Sequence, residues 1–128
     1  MPTSVTDDIL VSALPNYEER HSSPLNQEYI FSYKIEIHNS GSSPVQLLSR
    51  HWYIFDSNGH YSEVKGEGVI GQQPIIEAGS SHAYESYSSL KSDIGMMWGT
   101  YLMKRIENGK LFEVKIPEFN LMTPFKLN

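Results

Sequence analysis

Between Gln27 and Asn39 the chain alternates with a period of two. Tyr29, Phe31, Tyr33, Ile35 and Ile37 fall on one side, and Ile30, Ser32, Lys34, Glu36 and His38 on the other. A helix would scatter the first five around its axis, so the pattern predicts a strand with one apolar face. Around it the same grammar repeats. Ile9 to Tyr17 reads as a strand containing Pro15, which cannot donate to a ladder and so marks an edge strand or a strand end. Glu18 to Asn26, with Pro24, reads as a loop. Asn39 to Pro44 supplies a turn, and Val45 to Phe55 the next strand.

Asp56-Ser-Asn-Gly59 is a hairpin turn with two possible registers. A two-residue Asn-Gly loop sets Trp52 opposite Lys65 and Ile54 opposite Glu63. A type I turn followed by a bulge pairs Asp56 with His60, and sets Trp52 opposite Val64 and Arg50 opposite Gly66. A one-residue slip flips every side chain to the other face. The second register is preferred, because burying Trp52 against Val64 removes more apolar area from water.

Beyond three glycines, Pro74 to Ala78 is a short segment and Ala78 to Ser81 a turn. His82 to Leu90 reads as a strand and Lys91 to Met97 as a loop. Trp98 to Ile106 and Leu111 to Ile116 form a second hairpin about Asn108-Gly109. A two-residue loop there sets Met103 opposite Val114, Tyr101 opposite Ile116 and Lys104 beside Glu113. The tail, Pro117 to Asn128, holds Phe119, Leu121, Met122 and Phe125 and is expected to pack partly onto the body. About seven short strands with turns at regular intervals and no convincing helix predict an all-β, antiparallel β-sandwich. At 128 residues it reads as a single domain, 1–128.

The sequence contains no cysteine, which excludes a disulfide framework, a thiolate metal site and a cysteine nucleophile. A net charge of −5 argues against a nonspecific nucleic-acid binder. No apolar run approaches the roughly 18 residues of a membrane span. Asp7 and Asp8 stand where a signal peptide carries Lys or Arg. The expectation is a soluble, cytoplasmic protein with no nucleic-acid or membrane partner.

VQLLSRHW (45–52), the D-x-N-G turn at 56–59, EVKGEGVIGQQPII (63–76), the AG turn at 78–79 and IPEFNL (116–121) resemble the bacterial ApaG family over roughly residues 25 to 122. The resemblance implies an immunoglobulin/fibronectin type III-like sandwich. It also implies an association with cobalt tolerance and magnesium efflux, and a kinship with domains that look like interaction modules in F-box proteins. It carries no catalytic residue.

Gly66, Gly68 and Gly71 match G-x-G-x-x-G, but a dinucleotide fingerprint needs an opening helix, and Pro74 with the turn at Gly79 leaves no room for one. The glycines read instead as a kinked strand or as an irregular loop whose amides form an anion nest, with Arg50 and Lys65 nearby. Arg50, Lys65, Gly66, Gly68 and Gly71 are therefore the candidate anion-binding residues, for phosphate, pyrophosphate or a dinucleoside polyphosphate. For a metal, only Asp56 and His60 sit side by side, too few ligands for a closed site, so no metal, cofactor or catalytic residue is expected. Fifteen Phe, Tyr and Trp exceed what one thin core needs. The favoured function is a non-enzymatic module for an unidentified protein partner, homo-oligomerisation included. The alternatives are the anion-binding protein and a divalent-cation handler.

Overall fold

The structure, a computed structural model, describes residues 1–127, with side chains described through residue 125. Nine strands stand among those residues: β1 (Thr3–Thr6), β2 (Ile9–Tyr17), β3 (Tyr29–Asn39), β4 (Val45–Asp56), β5 (Tyr61–Glu67), β6 (Ile75–Ile76), β7 (Ser81–Leu90), β8 (Ile94–Arg105) and β9 (Leu111–Met122). They form two antiparallel sheets, ordered β1-β2-β3-β7 and β5-β4-β8-β9, with β6 paired to the start of β4. This is an immunoglobulin/fibronectin type III-like sandwich, with the short β1 added at one edge.

Alternation builds the core. Phe31, Tyr33, Ile35 and Ile37 of β3 turn inward, together with Ile9, Val11 and Ala13 of β2. From the other sheet come Trp52, Met97, Tyr101, Met103, Val114, Ile116, Phe119 and Leu121. Each fully buried Val, Leu, Ile, Phe or Met side chain among them contributes ~1.5–3 kcal/mol by leaving water. Trp52 packs edge-on against Tyr33 of the opposite sheet and Phe119, with centroids at 5.2 and 5.8 Å.

Pro15 lies within β2, paired with Tyr33, and the strand continues past it to Tyr17. β1 covers β2 only as far as Ala13, whose N–H donates to Pro2 O. Two residues further on the same side is the free edge, so the missing N–H of Pro15 breaks no ladder bond.

The 56–59 hairpin has the bulged register, with Asp56 N–H donating to His60 O, Trp52 opposite Val64 and Arg50 opposite Gly66. Val64 itself stays 41% exposed. Trp52 is covered by the facing sheet and β9 rather than by β5.

Four expectations need correction. First, β1 precedes Ile9, so the strands exceed seven. Second, β8 begins at Ile94, within the segment read as a loop. Third, the second hairpin turns through four residues, not two: Arg105 N–H donates to Lys110 O and Gly109 N–H to Arg105 O. Tyr101 consequently faces Val114, Met103 faces Phe112, and Lys104 faces Leu111 rather than Glu113. The slip is of two residues, so each side chain keeps its expected face and only its partner changes. Fourth, β9 does not stop at Ile116. Met97 pairs with Phe119 but Gly99 with Ile116, so Pro117 and Glu118 form a bulge on an edge strand, which tolerates proline. Phe119 and Leu121 are buried, as a packed tail requires, while Phe125 is about half exposed against Tyr17. Asn128 lies outside the described residues.

Candidate functional site

β4 carries two sites on its two faces. Residues 50, 52 and 54 point between the sheets, and 51, 53 and 55 point outward, because successive side chains on a strand alternate.

On the inner face Arg50 lies flat over Gly66. A Cβ built at Gly66 would come within 2.8–2.9 Å of three guanidinium atoms, so a side chain there would displace the Arg50 head from this position. Nη1 donates to the carbonyls of Glu67 (3.0 Å) and Gly68 (2.9 Å). Among the described residues no carboxylate forms an ion pair with this cation. The glycine segment then doubles back in a tight hairpin. Gly68 N–H donates to Leu48 O, and Val69 and Gln72 exchange both backbone bonds around Ile70 and Gly71. Ile70 holds φ +48° and Gly71 φ +73°, the left-handed pair of a two-residue hairpin turn. For a β-branched residue such as Ile70 this conformation is strained.

Above Arg50 the edge strand β7 contributes Tyr84 and Ser86, and β3 contributes Tyr33, directly opposite Ser86. A crevice of about 230 Å³ is lined by Arg50, Tyr33, Tyr84, Ser86, Ile70 and Gly71, among others. A second hollow of about 140 Å³ adjoins it and shares Arg50, Tyr33, Trp52 and Ser86. Tyr84 bonds through its hydroxyl to that of Tyr101, joining the two sheets. Burial pushes the phenols of Tyr33, Tyr84 and Tyr101 up, and the Arg50 charge opposes this only in part. They are neutral O–H groups near neutral pH.

On the outer face the rings form a ladder. Tyr53 stacks on Trp98 (centroids 5.7 Å, planes 9° apart) and on His51 (4.3 Å). Tyr61 leans on both Tyr53 and Trp98. His51 Nε2 meets Glu63 Oε1 at 2.7 Å. Beside the ladder lies an open hollow of about 430 Å³ lined by Ser49, His51, Lys65, Thr100, Leu102 and Glu113, among others.

A profile of the ApaG domain matches residues 19–105. The chain is 48% identical over 120 residues to protein ApaG of Dechloromonas aromatica (strain RCB), covering 94% of each. Protein ApaG of Pseudomonas syringae pv. tomato is 43% identical over 118 residues, covering 92% of this chain and 93% of that one. The chain belongs to the ApaG family. A crystal structure of the ApaA protein from Bordetella pertussis superposes with a TM-score of 0.88 at 44% identity, covering 96% of both chains.

Within this ApaG fold the sequence-derived anion set divides. Arg50, Gly66, Gly68 and Gly71 gather at the mouth between the sheets. Lys65, one residue from Gly66, pairs with His51 and belongs to the outer face. Asp56 is committed elsewhere: it is buried, and it accepts from Lys91 N–H (2.6 Å) and from Ser92 Oγ. It ties the hairpin to the 91–93 loop and leaves His60 exposed without it. Among the described residues no three His, Cys, Asp or Glu side chains gather to hold a metal ion. No helix there is long and apolar enough to cross a membrane. Sequence reasoning missed Tyr33, Tyr84, Tyr101 and Ser86 as one cluster, and the outer ring ladder. The parity of β4 was the available signal for the ladder, since it puts His51 and Tyr53 together, away from Trp52.

Proposed function

We propose that this ApaG-family chain is a non-enzymatic module that binds a protein partner through the outer face of β5-β4-β8. The observation that carries this reading is the stacked ladder of His51, Tyr53, Trp98 and Tyr61 on a face that, among the described residues, no other element covers. Tyr61 and Phe55 remain 49% and 41% exposed. Rigid aromatic rings offer large contact area at low entropic cost and are enriched at the centres of interfaces. The adjoining hollow, with Lys65 on one side and Glu113 on the other, gives a polar rim. The partner this face fits is an extended segment with an apolar or aromatic side chain laid on the rings and a polar group over the hollow.

The test compares capture of proteins from lysate by the immobilised wild-type chain and by a Tyr61→Ser/Trp98→Ser variant. Circular dichroism should show that the variant remains folded. A partner held by the wild type and lost by the variant is the expected result. Identical capture by both would remove this face from the interaction.

A further inference from the structure

The inner crevice carries a separate inference, independent of the outer face. The geometry points to a binding site for a small oxyanion, carboxylate or phosphate, between β7 and the 66–71 hairpin, held by the Arg50 guanidinium and the Tyr33, Ser86 and Tyr84 hydroxyls.

The argument is a count of donors against acceptors. Arg50 has five N–H donors in a planar fork, and the two carbonyls of Glu67 and Gly68 occupy Nη1. Nε and Nη2 remain, on a half-buried cation that lacks a carboxylate partner among the described residues. Tyr33 and Ser86 stand directly opposite each other and both line the crevice, and Tyr84 bonds Tyr101. The Tyr84–Tyr101 pair holds two hydrogens and uses one in its mutual bond, which leaves one to donate, and the Tyr33 and Ser86 hydroxyls each carry a hydrogen of their own. The raised phenol pKa values keep those hydrogens in place. The crevice thus presents a surplus of donors around one positive charge. What fits such a surplus is a group that only accepts and is negatively charged.

The 230 Å³ volume suits a small anion or the end of a larger molecule, not a nucleotide base with its sugar. Ile70 stands at the lip, 61% exposed and in a strained backbone conformation, which is where strain is retained at ligand clamps. The glycines contribute by absence: Gly66 makes space for Arg50, and Gly68 lets the chain turn back where a Cβ would strike Gln72 O at 2.0 Å. This differs from a nest of glycine amides, because the Gly68 and Val69 N–H groups are already satisfied.

The experiment titrates the labelled protein with sodium phosphate and, separately, sodium acetate, with sodium chloride at matched ionic strength as the reference. It follows the backbone amides of residues 66 to 72 and the Arg50 Nε–H by NMR. The expected result is saturable shifts at Ile70, Gly71 and Arg50 Nε–H, with a Kd on the order of 1 mM for at least one of the two anions. Arg50→Gln abolishes them and Lys65→Gln leaves them intact. Should Arg50→Gln not fold, Ser86→Ala serves instead and weakens binding on the order of tenfold. Saturation by phosphate alone or by acetate alone identifies the class. Shifts that chloride reproduces, that saturate with neither anion up to roughly 50 mM, or that persist unchanged in both Arg50→Gln and Ser86→Ala overturn the site.

Discussion

Replacing Trp52 by alanine tests the register, the core and the parity of β4 at once. The ring is 2% exposed and wedged between Tyr33 and Phe119. A buried Trp removes ~150–250 Å² from water, worth ~4–6 kcal/mol at ~25 cal/mol/Å². The denatured chain already hides some of that area, and alanine keeps one carbon, which lowers the figure. Two lost edge-to-face contacts and a residual cavity raise it again. The expected cost is ~3–5 kcal/mol, a large fraction of the ~5–15 kcal/mol that a domain of this kind possesses. Urea unfolding followed by circular dichroism reads it. With a slope of ~2 kcal/mol/M, the midpoint falls by ~2 M while the slope stays constant. Trp98→Ala is the internal control. Its ring is partly buried on the outer face and stacked on Tyr53, so its loss costs less than that of Trp52, ~1–2 kcal/mol. A cost for Trp52→Ala below ~1 kcal/mol, or one smaller than that of Trp98→Ala, would refute the inward assignment of residues 50, 52 and 54.

Three further outcomes follow from the same geometry. Gly99 sits opposite Trp52, and a Cβ there would meet His51 O at 2.2 Å, so Gly99→Ala forces β4 and β8 apart and lowers stability by about 3 kcal/mol in the same urea assay. Ile70→Gly relieves a positive-φ strain at an exposed tip and raises the unfolding midpoint by the equivalent of about 1 kcal/mol; a drop of similar size would show that Ile70 packs rather than strains. In alkali, the raised phenol pKa values of Tyr33, Tyr84 and Tyr101 mean that the folded state retains protons the unfolded state releases above 10.0. Stability is therefore full below that pH and is lost as pH rises toward the folded values. Tyrosinate absorbance should show phenols that ionise only with unfolding, and early titration of all eight tyrosines would contradict the burial.

The parts of the fold legible in the sequence were those where side-chain pattern and turn chemistry agree. The β3 alternation could only be a half-buried strand, and Asp56 to Gly59 specified a bulged turn because the register it allowed buries Trp52. Glycine is where the reading failed. Gly95 beside Ser92 and Asp93 looks like a turn residue, yet it lies in β8, where a Cβ would strike Phe55 O at 2.5 Å. A residue type that serves both turns and close strand crossings cannot report which role it has. The Asn108-Gly109 pair misled similarly: Asn108 Oδ1 caps Lys110 N–H inside a longer loop rather than centring a two-residue one. At the candidate site, the position of Arg50 over Gly66 followed from the register. The tyrosine cluster did not, because it joins β3, β7 and β8 across two sheets, and no local pattern encodes contacts between layers.

The two long sides of the sandwich are finished differently, and this asymmetry explains why both candidate surfaces involve the β5 side. On one side β1 lies against β9: Ser4 Oγ donates to Lys115 O, and Lys115 N–H donates to Thr6 Oγ1. Side chains of one sheet thereby satisfy the backbone edge of the other, which removes an exposed template for pairing. On the other side β7 and β5 are both sheet edges, and among the described residues no ladder joins them. Across that side the sheets are linked by a hydroxyl pair, Tyr84 to Tyr101, beside the buried Val69. An inter-sheet space filled only for stability would place leucine or valine at positions 50, 84 and 86, since buried polar groups contribute less than well-packed apolar ones of similar volume. Arginine, tyrosine and serine at those positions, with a glycine opposite the arginine, sacrifice core packing along one seam. Such a local departure from the rules that the other seam obeys is what the proposed anion site requires of this seam.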